Sequence, residues 1–150
     1  MRESLDLCLR QQTEDIEITD MRNTGTEHPY ADAKALIVGD AGFVGSNLAR
    51  GLLNLPAGPE RIIVVDNLLS AERENLPADD RIEFIEASIN DDGVLAAIPR
   101  DLDYAFHLAT YHGNQSSIAD PLADHENNAL PSLTLFNGLR DFAQLRKVVY

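Results

Sequence analysis

The sequence predicts an α/β fold with a doubly wound parallel sheet, and three observations carry that prediction. From Lys34 onward, short apolar runs alternate with stretches of helical spacing, the pattern of strands joined by helical crossovers. Two of the runs, Ile62-Ile63-Val64-Val65 and Tyr104-Ala105-Phe106-His107-Leu108-Ala109, are nearly continuous in apolar residues, as strands covered on both faces must be. The first run, Ala35-Leu36-Ile37-Val38, opens into Gly39-Asp40-Ala41-Gly42-Phe43-Val44-Gly45, a glycine pattern suited to a tight turn from strand to helix.

Taken in order, a strand is expected at 34–39 and a helix at 43–55, with the glycine loop between them. The run ending in Asp66 predicts a strand at 61–66, and the stretch from Asn67 to Asp80, with Ser70, Asn75 and Pro77, reads as a loop. A strand at 81–86, a helix at 91–98, a strand at 103–109, a long helical region at 119–144 and a last strand beginning near Arg146 complete the series. Right-handed crossovers turn such a series into helices on both faces of one sheet. Residues 1–33 are polar and acidic, with Gly25 and Pro29 interrupting any regular pattern. They read as a mobile extension ahead of one domain spanning 34–150.

Composition narrows the partners. A chain of 150 residues fits a single domain with a substantial core. Its formal net charge of −13 disfavours nucleic acid and anionic membrane surfaces, both of which need cationic faces. Cys8 is the only cysteine, so no internal disulfide is possible and a reducing cytoplasm is expected. No apolar stretch approaches the ~20 residues of a membrane span, and the opening Met1-Arg2-Glu3-Ser4-Leu5-Asp6 has no signal-peptide pattern. His107, His112 and His125 match no zinc spacing, and His107 falls in an apolar strand, so no metal site is expected.

The glycine loop has a chemical reading. Gly39 takes the angles of the turn, Gly42 lets the main chain approach phosphate oxygens, and Gly45 lets the helix pack closely on its strand. The helix from Phe43 then turns unpaired N–H groups and its positive dipole end toward a bound pyrophosphate. Asp66 lies 21 residues beyond Gly45 at the end of the next strand. A carboxylate there accepts ribose hydroxyls and repels a 2′-phosphate, which favours NAD over NADP.

Several further motifs follow in order: Val65-Asp66-Asn67-Leu68-Leu69-Ser70, His107-Leu108-Ala109-Thr110, Ser117-Ile118-Ala119-Asp120-Pro121, Glu126-Asn127-Asn128-Ala129 and Lys147-Val148-Val149-Tyr150. With the glycine loop, they make the segment from Lys34 to Tyr150 resemble the extended short-chain dehydrogenase/reductase family, in its nucleotide-sugar epimerase/dehydratase branch, to which UDP-glucose 4-epimerases belong. The resemblance implies a Rossmann-like domain, C-terminally truncated, that binds NAD. It implies that Phe43 and Val44 lie over the pyrophosphate, that Asp66 and Asn67 hold the adenosine ribose, and that Ser70 sits nearby. By the same token Ser88 and Ile89 contact adenine, Leu108, Ala109 and Thr110 line the nicotinamide half, and Asn127 approaches the cofactor from a helix. A complete protein of this kind acts on a nucleotide sugar through a keto-sugar intermediate and forms a homodimer through the helical region from Leu122 to Ala143.

Four positions depart from the family pattern. Asp40 replaces a small neutral residue beside the expected phosphates, where like charges ~5 Å apart repel by roughly 3 kcal/mol at an effective dielectric near 20, unless the side chain turns away. Val38 stands for a frequent Thr, Ser88 for a frequent Asp, and Pro131 for a Gly inside a helix, where proline costs ~3 kcal/mol or a kink. The family's catalytic Ser or Thr and its Tyr-x-x-x-Lys pair fall beyond Tyr150, so no catalytic residue is assigned and the fragment is expected to be inactive. Tyr30 and Lys34 have the right interval but precede the first strand. The alternative is a non-catalytic module of the same fold that senses NAD or binds a protein.

Overall fold

A computed structural model describes residues 28–111 and 114–150. Five strands form one sheet: β1 (Lys34–Val38), β2 (Arg61–Asp66), β3 (Ile82–Glu86), β4 (Tyr104–His107) and β5 (Lys147–Val149). Their spatial order is β3-β2-β1-β4-β5 and every pairing is parallel. The central strand holds Leu36 in register with Ile63 on one side and Ala105 on the other. Alternation along β1 and β2 sends Leu36, Val38, Ile63 and Val65 to one face and Ala35, Ile37, Ile62 and Val64 to the other.

Helices cover both faces, which is why these strands read as unbroken apolar runs. Helix α1 (Phe43–Leu53) brings Ala49 and Leu52 to the second face. The other face is covered by the one-turn helix α2 (Val94–Ala97) and by α4 (Pro121–Leu139), through Val94, Leu135 and Leu139. A short helix α3 (Asn114–Ala119) precedes α4. The chain runs outward from β1 to β2 and β3, then returns to the other side of β1 as β4. The crevice above the carboxyl ends of β1 and β4 is therefore the switch point at which open α/β sheets bind ligands.

Several boundaries differ from expectation for local reasons. Gly39 leaves the first strand because its φ is +85°. The expected helix at 91–98 shrinks to Val94–Ala97. Asp91 instead closes a turn by accepting the Ser88 N–H at 2.8 Å, and Gly93 enters the helix in the left-handed region, φ +84°. The long helical region divides at Asp120, whose carboxylate caps α4 by accepting the Ala123 N–H at 3.0 Å, with Pro121 in the first turn. Pro131 lies buried inside α4, and the helix runs through it to Leu139. The loop from Asn67 to Asp80 contains a 3-10 turn at Arg73–Asn75.

The expected mobile extension falls on residues 1–33, of which 1–27 lie outside the described residues. The packed chain already includes its last part. Ala33 is buried, the Tyr30 ring packs on Tyr104 at 4.8 Å between centroids, and the Tyr104 hydroxyl donates to the Pro29 carbonyl at 2.7 Å. Lys34 pairs with Asp101 and Glu60 at the amino end of the sheet, on the edge opposite the crevice. The Tyr30–Lys34 interval therefore has no part in the crevice. No described helix is long and apolar enough to cross a membrane.

Candidate functional site

The glycine loop is shaped by its neighbours. A Cβ at Gly39 would overlap the backbone of Ala109, because the ends of β1 and β4 approach closely there. A Cβ at Gly45 would overlap the Asp40 backbone and lie 2.8 Å from its Oδ1, so only glycine lets α1 start this near its strand. Gly42 differs: the nearest atom to a Cβ there is 3.8 Å away, leaving open space over the loop. Gly42 caps α1 without a side-chain hydrogen bond, and the first turn carries no acid. Its first N–H groups thus have no intrahelical acceptor and no competing carboxylate. Phe43 and Val44 are 85% and 63% exposed at this turn.

Asp66 is tied to that loop. Its Oδ2 accepts the Ala41 N–H at 3.0 Å and its Oδ1 accepts the Leu68 N–H at 2.8 Å. The side chain is almost buried yet still borders the crevice. Each carboxylate oxygen keeps a lone pair for a further donor. Asn67 turns its Oδ1 to the Leu69 N–H at 3.2 Å, and Asn75 donates to the Ala41 carbonyl at 2.9 Å. Between these Asx turns Leu68 sits at φ +56°, in the left-handed region that a leucine rarely adopts.

Two adjoining cavities occupy the crevice. Around one lie Gly39, Gly42, Phe43, Val44 and Gly45 from the loop and α1, Asp66, Asn67 and Ser70 after β2, and Leu108, Ala109 and Thr110 after β4. Around the other lie Ser88 and Ile89 after β3 and Asn127 from α4, together with Gly39, Asp66, Asn67 and Ala109. All the residues expected from the sequence to hold the cofactor thus border one continuous region. Val38, Val65, Ala87 and Pro131 border it as well. Pro131 was visible as a departure from pattern, but its only reading was a helix defect. Among the described residues no lysine or arginine borders either cavity.

Secondary contacts fix the far wall. Asn128 of α4 bonds both backbone groups of Tyr111, donating to its carbonyl at 2.9 Å and accepting its N–H at 2.8 Å. Ser132 donates to the Asn128 carbonyl, so its oxygen accepts the Nε2–H of His107 at 2.9 Å. Burial holds His107 below its ordinary pKa. Ser88 has its hydroxyl engaged by the Asn90 N–H at 3.2 Å. Among the described residues no group of three His, Cys, Asp or Glu is gathered for a metal.

The Asp40 carboxylate does turn away from the crevice. It is fully buried behind the loop and borders neither cavity, and among the described residues neither oxygen has a hydrogen-bond partner. Burial first, and the nearby Asp66 charge second, push its pKa up to about 7, against a smaller opposing effect of Arg50.

A glycine loop leading into a helix N-terminus, faced by a single acid at the switch point of a parallel sheet, defines a Rossmann-like domain. The sequence model of the NAD dependent epimerase/dehydratase family matches residues 35–150, and the chain belongs to that family. The UDP-glucose 4-epimerase of Mycolicibacterium smegmatis is 34% identical over 123 residues, covering 78% of this chain and 37% of that protein. Among solved structures, the Bordetella bronchiseptica enzyme WbmF in complex with NAD+ is 54% identical with a TM-score of 0.77, covering 82% of this chain and 37% of that one. Epimerase Mth375 from Methanothermobacter thermautotrophicus is 38% identical with a TM-score of 0.66, covering 79% and 34%. This chain thus spans little more than a third of the length of these relatives.

Proposed function

We propose that the crevice binds NAD and that the chain is the cofactor-binding part of a nucleotide-sugar epimerase or dehydratase. The observation that carries this reading is the bond between Asp66 and the Ala41 N–H, which holds the acid and the glycine loop as one surface. The loop and the first turn of α1 receive the pyrophosphate on neutral backbone N–H groups. Asp66 accepts the adenosine ribose hydroxyls, with Asn67 and Ser70 beside it. Ser88, Ile89 and Asn127 enclose the adenine end, and Leu108, Ala109 and Thr110 enclose the nicotinamide end. When bound, NAD supplies reversible hydride acceptance from a sugar carbon.

The solved WbmF complex with NAD+ and UDP, 56% identical to this chain, supports a nucleotide sugar as the substrate class of the whole protein. Leu122 and Leu133 on α4 are exposed, and they support a homodimer of the whole protein through this helix. Among the described residues the family's Tyr-x-x-x-Lys pair has no counterpart in the crevice, and on this reading the 150-residue chain holds the cofactor without turning over sugar. Calorimetric titration tests the reading. NAD is expected to bind, NADP at least tenfold more weakly because Asp66 repels its 2′-phosphate, and AMP more weakly than NAD. Equal affinity for NAD and AMP would overturn it, and sugar conversion by this chain would overturn the inactivity.

A further inference from the structure

The proposed function leaves one buried acid unused. Asp40 sits at the second position of the loop, directly behind the backbone that faces the phosphates, and its carboxyl is inaccessible to water. Gly45 presses on it from the first turn of α1. Neither oxygen receives an N–H or a hydroxyl from any described residue. The loop's own Ala41 N–H is already given to Asp66. Asp66, at the end of β2, is a second carboxylate close enough to oppose its ionisation. On α1, Arg50 is the cation acting on it, and that guanidinium is engaged by the Asn75 carbonyl.

We propose that capture of NAD in this crevice is coupled to a proton on Asp40: the chain binds the cofactor with Asp40 neutral, and ionisation of Asp40 weakens binding. This rests on the NAD reading above. The bound pyrophosphate brings negative charge to the front of a loop whose back is occupied by Asp40 and whose side is occupied by Asp66. An unsolvated carboxylate in that position repels the ligand through a few atoms of backbone, where no water screens it. Binding and protonation then favour each other reciprocally. A raised affinity of Asp40 for its proton places the transition near neutral pH. Burial lowers the His107 pKa and so displaces its titration downward, away from this transition.

If only the neutral form binds, a group titrating near pH 7 leaves about a tenth of the chain competent at pH 8, so the NAD dissociation constant is expected to rise about tenfold between pH 6 and pH 8. Calorimetric titration of the 150-residue chain at pH 6, 7 and 8 measures this. At pH 7, heats in buffers of different ionisation enthalpy are expected to report net proton uptake on binding. Asp40→Asn removes the titrating proton while leaving every other group in place, and is expected to flatten the pH dependence and abolish the uptake. Should that variant fail to fold, the wild-type proton uptake decides alone. NAD binding of constant affinity without proton uptake overturns the coupling and leaves the NAD reading intact. Absence of NAD binding at every pH overturns the NAD reading and the coupling with it.

Discussion

Asp66 accepts the backbone N–H of Ala41 across 3.0 Å, so the acid that closes β2 and the loop that leaves β1 are held as a single wall of the crevice. The same carboxylate also accepts Leu68 N–H. Removing it therefore has two separable effects. Asp66→Ala is expected to weaken NAD binding by about tenfold to a hundredfold, the worth of hydrogen bonds to a charged acceptor. It is also expected to lower stability by about 1–3 kcal/mol, because two N–H groups lose their partner. Titration and urea unfolding measure the two losses independently.

The glycines differ sharply in what they tolerate. Gly39 combines φ +85° with a Cβ direction filled by the Ala109 backbone. Gly39→Ala is expected to cost several kcal/mol, enough to unfold a domain whose whole stability is about 5–15 kcal/mol. Gly51 lies near the end of α1 with nothing within 4 Å of a Cβ. Gly51→Ala is expected to stabilise by up to about 1 kcal/mol through reduced chain entropy and better helix propensity. Thermal unfolding of the two variants checks both signs.

Asp40 gives stability a pH dependence of its own. Its folded pKa of about 7 lies above the ordinary carboxyl value of 3.8, so between those two values the folded state holds more protons than the unfolded one. Stability from this group therefore falls as pH rises through that window. His107 works in the opposite direction: its pKa is lowered by burial, so the unfolded state binds its proton first and stability falls as pH drops below about 6.5. The difference between Asp40→Ala and wild type cancels the histidine. That difference is expected to grow in favour of the variant by about 2–3 kcal/mol from pH 5 to pH 8, as read from urea unfolding at each pH.

Ser132 links α4 to the end of β4 by accepting the His107 N–H and donating to the Asn128 carbonyl. Ser132→Ala leaves a buried ring nitrogen without its acceptor, and is expected to lower stability by about 1–3 kcal/mol. Loosening of Tyr111, which Asn128 latches, is expected to follow. Faster amide hydrogen exchange at Tyr111 reports it.

The sheet was legible because its central strands are apolar on both faces, and β1, β2 and β4 lie within or at the expected bounds. The crevice was legible because Gly39, Gly45 and Asp66 meet backbone constraints that few other residues satisfy. Helix ends were less so. Asp91 served the Ser88 turn instead of starting a helix, and Asp120 with Pro121 divided a region of continuous helical spacing. Both choices depend on which backbone donor lies near a carboxylate, and spacing carries no such information. The destination of the Asp40 side chain was hidden for the same reason. Whether it faced ligand or core depends on packing in three dimensions, here against the start of α1, where a Cβ at Gly45 would lie 2.8 Å from the Asp40 Oδ1.

Among the described residues the cavities' walls carry no lysine or arginine, and the chain as a whole bears a net charge of −13. An approaching dinucleotide is therefore pushed back over most of its path and attracted only within the last few ångströms, where peptide dipoles take over. Added salt shortens the reach of that repulsion, to about 10 Å at 0.1 M. Stopped-flow mixing is expected to show NAD association accelerating with ionic strength, the reverse of a cation-steered encounter, while the dissociation rate stays nearly constant.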